Sequence, residues 1–184
     1  LPSTDRTVDP DANGIGEIAA RGPNVMLGYY KNPKATEAAI RDGWLYTGDL
    51  GYIDKRGGLY ITGRAKNLIV SAAGKNIYPE EVEAQLLNSQ FIAEVLVIGE
   101  QNPQTGREEV HAIIYPSFEA LDEHAAKHKL TMDTAQIEKI IKEEVRHQCG
   151  HLADYKRVKH FSLREEEFPK TTTRKIKRYL FVGK

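Results

Sequence analysis

Apolar residues are distributed in two different ways along this chain. Over residues 1–65 they come in short clusters separated by turn signals: Asp9-Pro10-Asp11-Ala12-Asn13-Gly14, Gly22-Pro23, Asp42-Gly43 and Arg56-Gly57-Gly58. Such punctuation marks short strands, and Leu59–Thr62 reads as one of them. A single short helix is predicted over Pro33–Arg41, with proline at its first position and Thr36 and Glu37 in its first turns. The opening Leu1–Asp5 reads as a strand connection. This half is β-rich and predicts part of a small barrel.

From residue 66 onward strands and helices are mixed. Asn67–Val70 is a strand candidate. Pro79–Asn88 predicts a helix, with proline at its start and Glu80 and Glu81 facing the positive end of the helix dipole. Ala93–Gly99 is almost continuously apolar, the pattern of a strand covered on both faces. Val110–Tyr115 and Lys159–Leu163 are further strands. Ile137, Ile140, Ile141 and Val145 recur at helical spacing, with Glu138 and Lys142 as an exposed supporting pair. The order of elements predicts an α+β fold: a small domain of mixed sheet with flanking helices over 66–184, preceded by the β-rich piece over 1–65.

Charge narrows the function classes. Twenty-six basic and twenty-six acidic side chains cancel, so no global field draws the chain to nucleic acid or to an anionic membrane. The single cysteine, Cys149, excludes an intrachain disulfide and suits a reducing compartment. No run of about 18 apolar residues occurs.

Several motifs fail on their spacing. Gly74-Lys75 is not the end of a Walker loop, since position 69 is Ile and Asn76 stands where Ser or Thr belongs. His124 and His128 share a helix face, yet residue 125 is Ala where a zinc protease needs Glu. His147, Cys149 and His151 lack a second ligand cluster. The basic run Arg174-Lys175-Ile176-Lys177-Arg178 has no interleaved aromatic before Tyr179, which counts against a nucleic-acid patch. Asp42 and Asp54 sit beside glycines as turn residues, and Tyr29 and Tyr30 read as strand packing.

The chemistry concentrates between Trp44 and Glu83. A Thr47-Gly48-Asp49 turn lets a carboxylate stand clear of the backbone, suited to gripping a vicinal diol such as a ribose. Arg64, placed just after the Leu59–Thr62 strand, offers a planar cation matched to phosphate or carboxylate. The Ser71–Asn76 loop holds Gly74, where backbone can approach a ligand closely or take a positive φ.

In this order the motifs resemble the adenylate-forming enzymes: acyl- and aryl-CoA synthetases, luciferases and peptide-synthetase adenylation domains. The resemblance extends upstream to Gly16-Glu17-Ile18, Arg21-Gly22-Pro23 and Gly28-Tyr29-Tyr30, which look like the family's strand block. Downstream, Pro169-Lys170-Thr171-Thr172-Thr173-Arg174-Lys175-Ile176 looks like its C-terminal lysine motif. Gly74–Glu83 is most similar to the long-chain fatty acid–CoA ligase branch. The family's phosphate loop and its Tyr-Gly-x-Thr-Glu adenine block do not occur, so the resemblance implies the C-terminal part of a larger enzyme. Residues 1–65 would then be the end of the large AMP-binding domain, and 66–184 the mobile C-terminal domain.

The implied function is ATP-dependent activation of a carboxylic acid, fatty acids first, as an acyl-adenylate that is then transferred to CoA. The implied co-substrates are MgATP, its Mg²⁺ held mainly by the large domain, and CoA. By resemblance, Lys175 is the catalytic lysine and Asp49 the ribose ligand, with Arg64 on the same ribose or the phosphate. Gly74 would line the pantetheine path, and Lys66 would be the hinge. The chain alone is expected to be inactive, and the family implies a cytoplasmic protein or one peripheral to a membrane. The alternatives are an adenylation domain that loads a carrier protein and, from another class, a non-catalytic nucleotide- or CoA-binding module. One departure stands out: the family usually has glycine directly before its lysine, and here the residue is Arg174.

Overall fold

The computed structural model describes residues 14–182, and the chain divides into two compact units, Leu1–Leu68 and Ile69–Lys184. The Leu1–Asp5 connection and all of the Asp9–Gly14 turn except its last glycine lie outside the described residues.

The first unit contains β1 (Gly16–Ala20), α1 (Pro33–Ala39), β2 (Ile40–Arg41), β3 (Trp44–Ile53) and β4 (Leu59–Arg64). All pairings are antiparallel and all involve β3. Leu45 faces Ala20 on one side and Ile40 on the other, while Leu50 faces Glu17 and Gly63. β1 therefore lies along one edge of β3, and β2 and β4 share the other. Asn32 caps α1 by accepting the Ala35 amide at 3.0 Å. The helix stops at Ala39 rather than Arg41 because Ile40 and Arg41 are taken up as partners of β3. Asp42 and Gly43, with φ of 49° and 77°, make the two-residue hairpin that Asp-Gly favours. Asp54 closes the next turn, accepting from the Arg56 and Gly58 amides at 2.9 and 2.7 Å.

Three further sequence expectations need correcting in this unit. Thr47-Gly48-Asp49 is not a turn but lies inside the ten-residue strand β3. Arg64 is the last residue of β4, not a residue beyond it. Tyr29 and Tyr30 belong to no strand and are exposed. Gly28, with φ of 155°, and the turn closed by the Asn32 amide on the Tyr29 carbonyl divert the chain into α1 instead.

The second unit begins with the hairpin β5 (Ile69–Val70) and β6 (Asn76–Ile77), followed by α2 (Pro79–Leu86). The predicted strand at Asn67 starts only at Ile69, because Ala65–Asn67 winds into a single 3₁₀ turn. Next come β7 (Ile92–Gln101), β8 (Glu108–Pro116), α3 (Phe118–His128), α4 (Thr134–Gln148) and β9 (His160–Leu163). The sheet order is β7-β8-β9, antiparallel then parallel, so the sheet is mixed and the fold is α+β. Val82 and Leu86 of α2, Val95 and Val97 of β7, Ala112 and Ile114 of β8, Leu121 of α3 and Ile141 of α4 form one buried core. Each such valine, leucine or isoleucine side chain stabilises the fold by about 1.5–3 kcal/mol on burial. Leu96, on the other face of β7, is equally buried, as the continuous apolar run required. Ser117 and Asp133 cap α3 and α4. His124 packs edge-on against Phe91 and beside His128. No group of three or more potential metal ligands exists among the described residues. None of the described helices is long and apolar enough to cross a membrane.

Candidate functional site

In the first unit, strand register brings Asp49 and Arg64 directly opposite one another on β3 and β4. The Arg64 guanidinium Nε donates to Asp49 Oδ1 at 2.7 Å, and Nη1 reaches the Thr47 carbonyl at 3.4 Å. Gly48 takes φ of 71° inside the strand, a conformation that suits a residue without Cβ. Its amide is held by Glu17 Oε1 at 3.0 Å, and the Thr47 hydroxyl bridges the Ile18 carbonyl and the Asp49 amide at 2.8 and 3.1 Å. The carboxylate is thus fixed by a distorted strand and a neighbouring cation rather than by a free turn. One of its oxygens is engaged by arginine. The side chain keeps 29% exposure, so the carboxylate remains open to a ligand.

In the second unit two loops share one backbone design. In the Ser71–Lys75 loop, the Ser71 amide donates to the Lys75 carbonyl at 2.9 Å, and the Gly74 amide to the Ser71 carbonyl at 2.8 Å. The Ser71 hydroxyl accepts the Lys75 amide at 3.0 Å. In the Thr171–Lys175 loop, the corresponding bonds are 2.8 Å, 2.9 Å and 3.1 Å. Val70–Asn76 pairing closes the first loop and a Lys170–Ile176 bridge closes the second. Gly74 has φ of 71°, and Arg174, at the matching place, has φ of 60°. A Cβ at Gly74 would meet nothing within 4 Å, so backbone conformation rather than crowding calls for glycine there.

The unusual Arg174 therefore occupies a left-handed slot. For an L-residue that conformation costs roughly 1–2 kcal/mol, while the extra unfolded-state freedom of glycine takes back about 0.5–1 kcal/mol. Arg174→Gly should raise the urea midpoint of the chain without changing the slope. A lowered midpoint would mean that the arginine side chain contributes more than its backbone costs.

Lys75 lies over the Tyr155 ring at 4.8 Å. Lys175, by contrast, is exposed and has no ion-pair or ring partner among the described residues. It is a cation held out on a well-bonded loop. Lys170 behaves differently: its ammonium is paired with Glu94 and with Glu167, and the Glu94 contact in particular holds its pKa above the usual lysine range. Lys66 sits in the Ala65–Asn67 turn, which closes with the Leu68 amide on the Ala65 carbonyl at 3.3 Å. Cys149 is buried, and burial pushes its thiol pKa up, away from reactivity.

The sequence had not singled out Glu83, Glu94 or Arg178, which tie the segment around Lys175 to β7. Arg178 is only one of several basic tail residues in the sequence, and Glu83 only the last residue of the Gly74–Glu83 resemblance. Nothing in their local pattern distinguishes them.

The geometry can be set beside known proteins. A family model described as AMP-binding enzyme C-terminal domain matches residues 81–175. A long-chain-fatty-acid–CoA ligase of Bacillus subtilis (strain 168) is 37% identical over 96% of this chain and 29% of its own length. A 2-succinylbenzoate–CoA ligase of Bacillus velezensis is 51% identical over 50% of this chain and 19% of its own. Among solved structures, o-succinylbenzoate CoA synthetase from Bacillus subtilis, in complex with the acyl-adenylate intermediate OSB-AMP, has a TM-score of 0.74 at 32% identity. That alignment covers 100% of this chain and 34% of that one. These relatives are adenylate-forming ligases. The chain belongs to the AMP-binding enzyme C-terminal domain family. It spans only 29% of the fatty-acid ligase and 34% of the synthetase.

Proposed function

We propose that the chain is the C-terminal part of an AMP-forming acid–CoA ligase, with residues 1–65 ending the large domain and 66–184 forming the mobile one. The observation that carries this reading is Lys175: exposed, unpaired among the described residues, and the last residue matched by the family model. A carboxylate attacks the α-phosphate of MgATP, giving an acyl-adenylate and pyrophosphate. The CoA thiol then attacks the mixed anhydride and releases AMP. Lys175 bridges the carboxylate and phosphate oxygens while charge develops on them, and a preorganised cation is most effective there.

Asp49 accepts hydrogen bonds from the ribose hydroxyls, and Arg64 fixes its orientation while meeting the ribose or phosphate. Gly74 borders the path of the pantetheine thiol. Lys66 is the hinge, a role that suits a short turn at the end of a compact unit. The Mg²⁺ of MgATP is assigned, on the family resemblance, mainly to the nucleotide and the large domain. The balanced charge and lone buried thiol suit a cytoplasmic protein, with peripheral membrane attachment as a second arrangement.

For the acid, the fatty-acid reading is supported by the match along nearly the whole chain, and an aromatic-acid reading by the higher identity over half of it. The whole protein should be given ATP, Mg²⁺ and CoA with either palmitate or o-succinylbenzoate, and AMP and thioester followed together. AMP and thioester in equal amounts from one acid are expected. Thioester with palmitate alone, or with o-succinylbenzoate alone, decides between the two acids. AMP formation that needs a carrier protein in place of CoA, or nucleotide binding without any turnover, would overturn the ligase reading.

A further inference from the structure

The described structure ties the Lys175 loop to the sheet at both ends, and both ties fall on β7. β7 is an edge strand, since the sheet order is β7-β8-β9. Its outward backbone groups at Val97 therefore need partners other than a neighbouring strand. Both groups are met by side chains. The Val97 amide donates to Glu83 Oε1 at 2.7 Å, and the Val97 carbonyl accepts from Arg178 Nη1 at 2.6 Å. Arg178 Nη2 donates to the same Glu83 oxygen at 2.5 Å, closing a small ring of bonds. Arg178 and Glu83 are only 17% and 15% exposed, so these bonds are largely sheltered from water. Burial pushes the Glu83 pKa up while the Arg178 charge pulls it down.

At the other end, Glu94 of β7 accepts the Phe168 amide at 3.0 Å and pairs with the Lys170 ammonium. Phe168 is buried and meets Phe181 edge-on at 5.3 Å, with the Arg164 guanidinium over both rings. The Lys177 amide donates to the Pro169 carbonyl at 2.8 Å, drawing the two stems together. Between these ties only residues 171–175 project.

We propose that Arg178 and Glu94 are positioning residues for adenylation, fixing the base of the Lys175 loop on β7 so that the unpaired ammonium is presented in one place. The inference rests on the assignment of Lys175 above. The Lys175 side chain has no tie of its own among the described residues, so its reach is set by the backbone that carries it. Arginine suits the task because its planar fork engages a carbonyl and a carboxylate at once, which a lysine ammonium does not reproduce in that geometry. A largely buried ion pair is a weak source of stability compared with apolar packing. What this one supplies is location.

The test uses the whole protein with Arg178→Lys, Glu94→Gln and Lys175→Ala, with palmitate and o-succinylbenzoate as probe acids. Pyrophosphate release reports adenylation; thioester formation from supplied acyl-adenylate and CoA reports the second step. Displacing a reacting group by about 1 Å costs on the order of 10²-fold, so Arg178→Lys should slow adenylation by that factor. It should do so through kcat, with little change in KM for ATP and near-normal thioester formation. Glu94→Gln, which keeps an acceptor but loses the charge, should have a smaller effect in the same direction. Equal damage to both half-reactions would make the residues merely structural and overturn the proposal. So would undiminished adenylation in Arg178→Lys where Lys175→Ala abolishes it.

Undiminished adenylation in Lys175→Ala would instead remove the assignment of the lysine. The tie can then be read without chemistry, from amide hydrogen exchange of the 184-residue chain. The Arg174 and Lys175 amides, both bonded to Thr171, should be protected in the native chain and lose protection in Arg178→Lys. Unchanged exchange would overturn the proposal whatever the lysine does.

Discussion

Lys175→Ala in the whole protein should slow pyrophosphate release by roughly 10²–10³-fold, the usual cost of losing one preorganised contact to developing charge. The ammonium is exposed and unpaired among the described residues, so its removal orphans no buried partner and should leave stability unchanged. The same variant, given acyl-adenylate and CoA, should make thioester at a near-normal rate, because in the proposed alternation about Lys66 the mobile domain has by then swung Lys175 away from the reacting atoms. Measuring the two half-reactions separately checks both halves of the claim. Equal damage to both would remove Lys175 from the catalytic role, and a larger cost from Arg174→Ala would move that role one residue back along the loop.

Lys66→Pro should separate the half-reactions in a different way. Proline fixes φ near −65° and is tolerated in the first turn of a helix, and Lys66 lies in the single Ala65–Asn67 turn. The substitution should therefore be compatible with folding while holding the turn in one conformation. With the turn held in the adenylating arrangement, acyl-adenylate should still form, and thioester formation should fall on the order of 10²-fold for want of the second geometry. Single-turnover measurements of each step, with the melting midpoint as a control, provide the check. If the two steps decline together, Lys66 is an ordinary residue of a loop.

How much of this was legible beforehand varied with the range of the interactions. The Ile137–Val145 periodicity marked α4, and the apolar run at Ala93–Gly99 marked β7, because burial imposes a local pattern on each. Thr47-Gly48-Asp49 misled, since a glycine at positive φ ordinarily marks a turn and here bends a strand from within. Its value lies in what the strand then pairs with: Arg64 stands opposite Asp49 by register, which local composition does not encode. The tie at Arg178 was wholly out of reach, for its partners Val97 and Glu83 lie 81 and 95 residues away. Arg174 was visible as a departure from a motif, but only the backbone angle gives it a physical meaning.

The closing of β7 at Val97 also bears on how this small domain behaves in concentrated solution. An uncovered sheet margin is a template on which another molecule can lay its own backbone and begin an ordered aggregate. Here an arginine and a glutamate occupy the hydrogen-bonding groups at the centre of that margin, and both carry charge that resists an apolar newcomer. The residues that steady the lysine thus also guard the domain against growing its sheet into a neighbour.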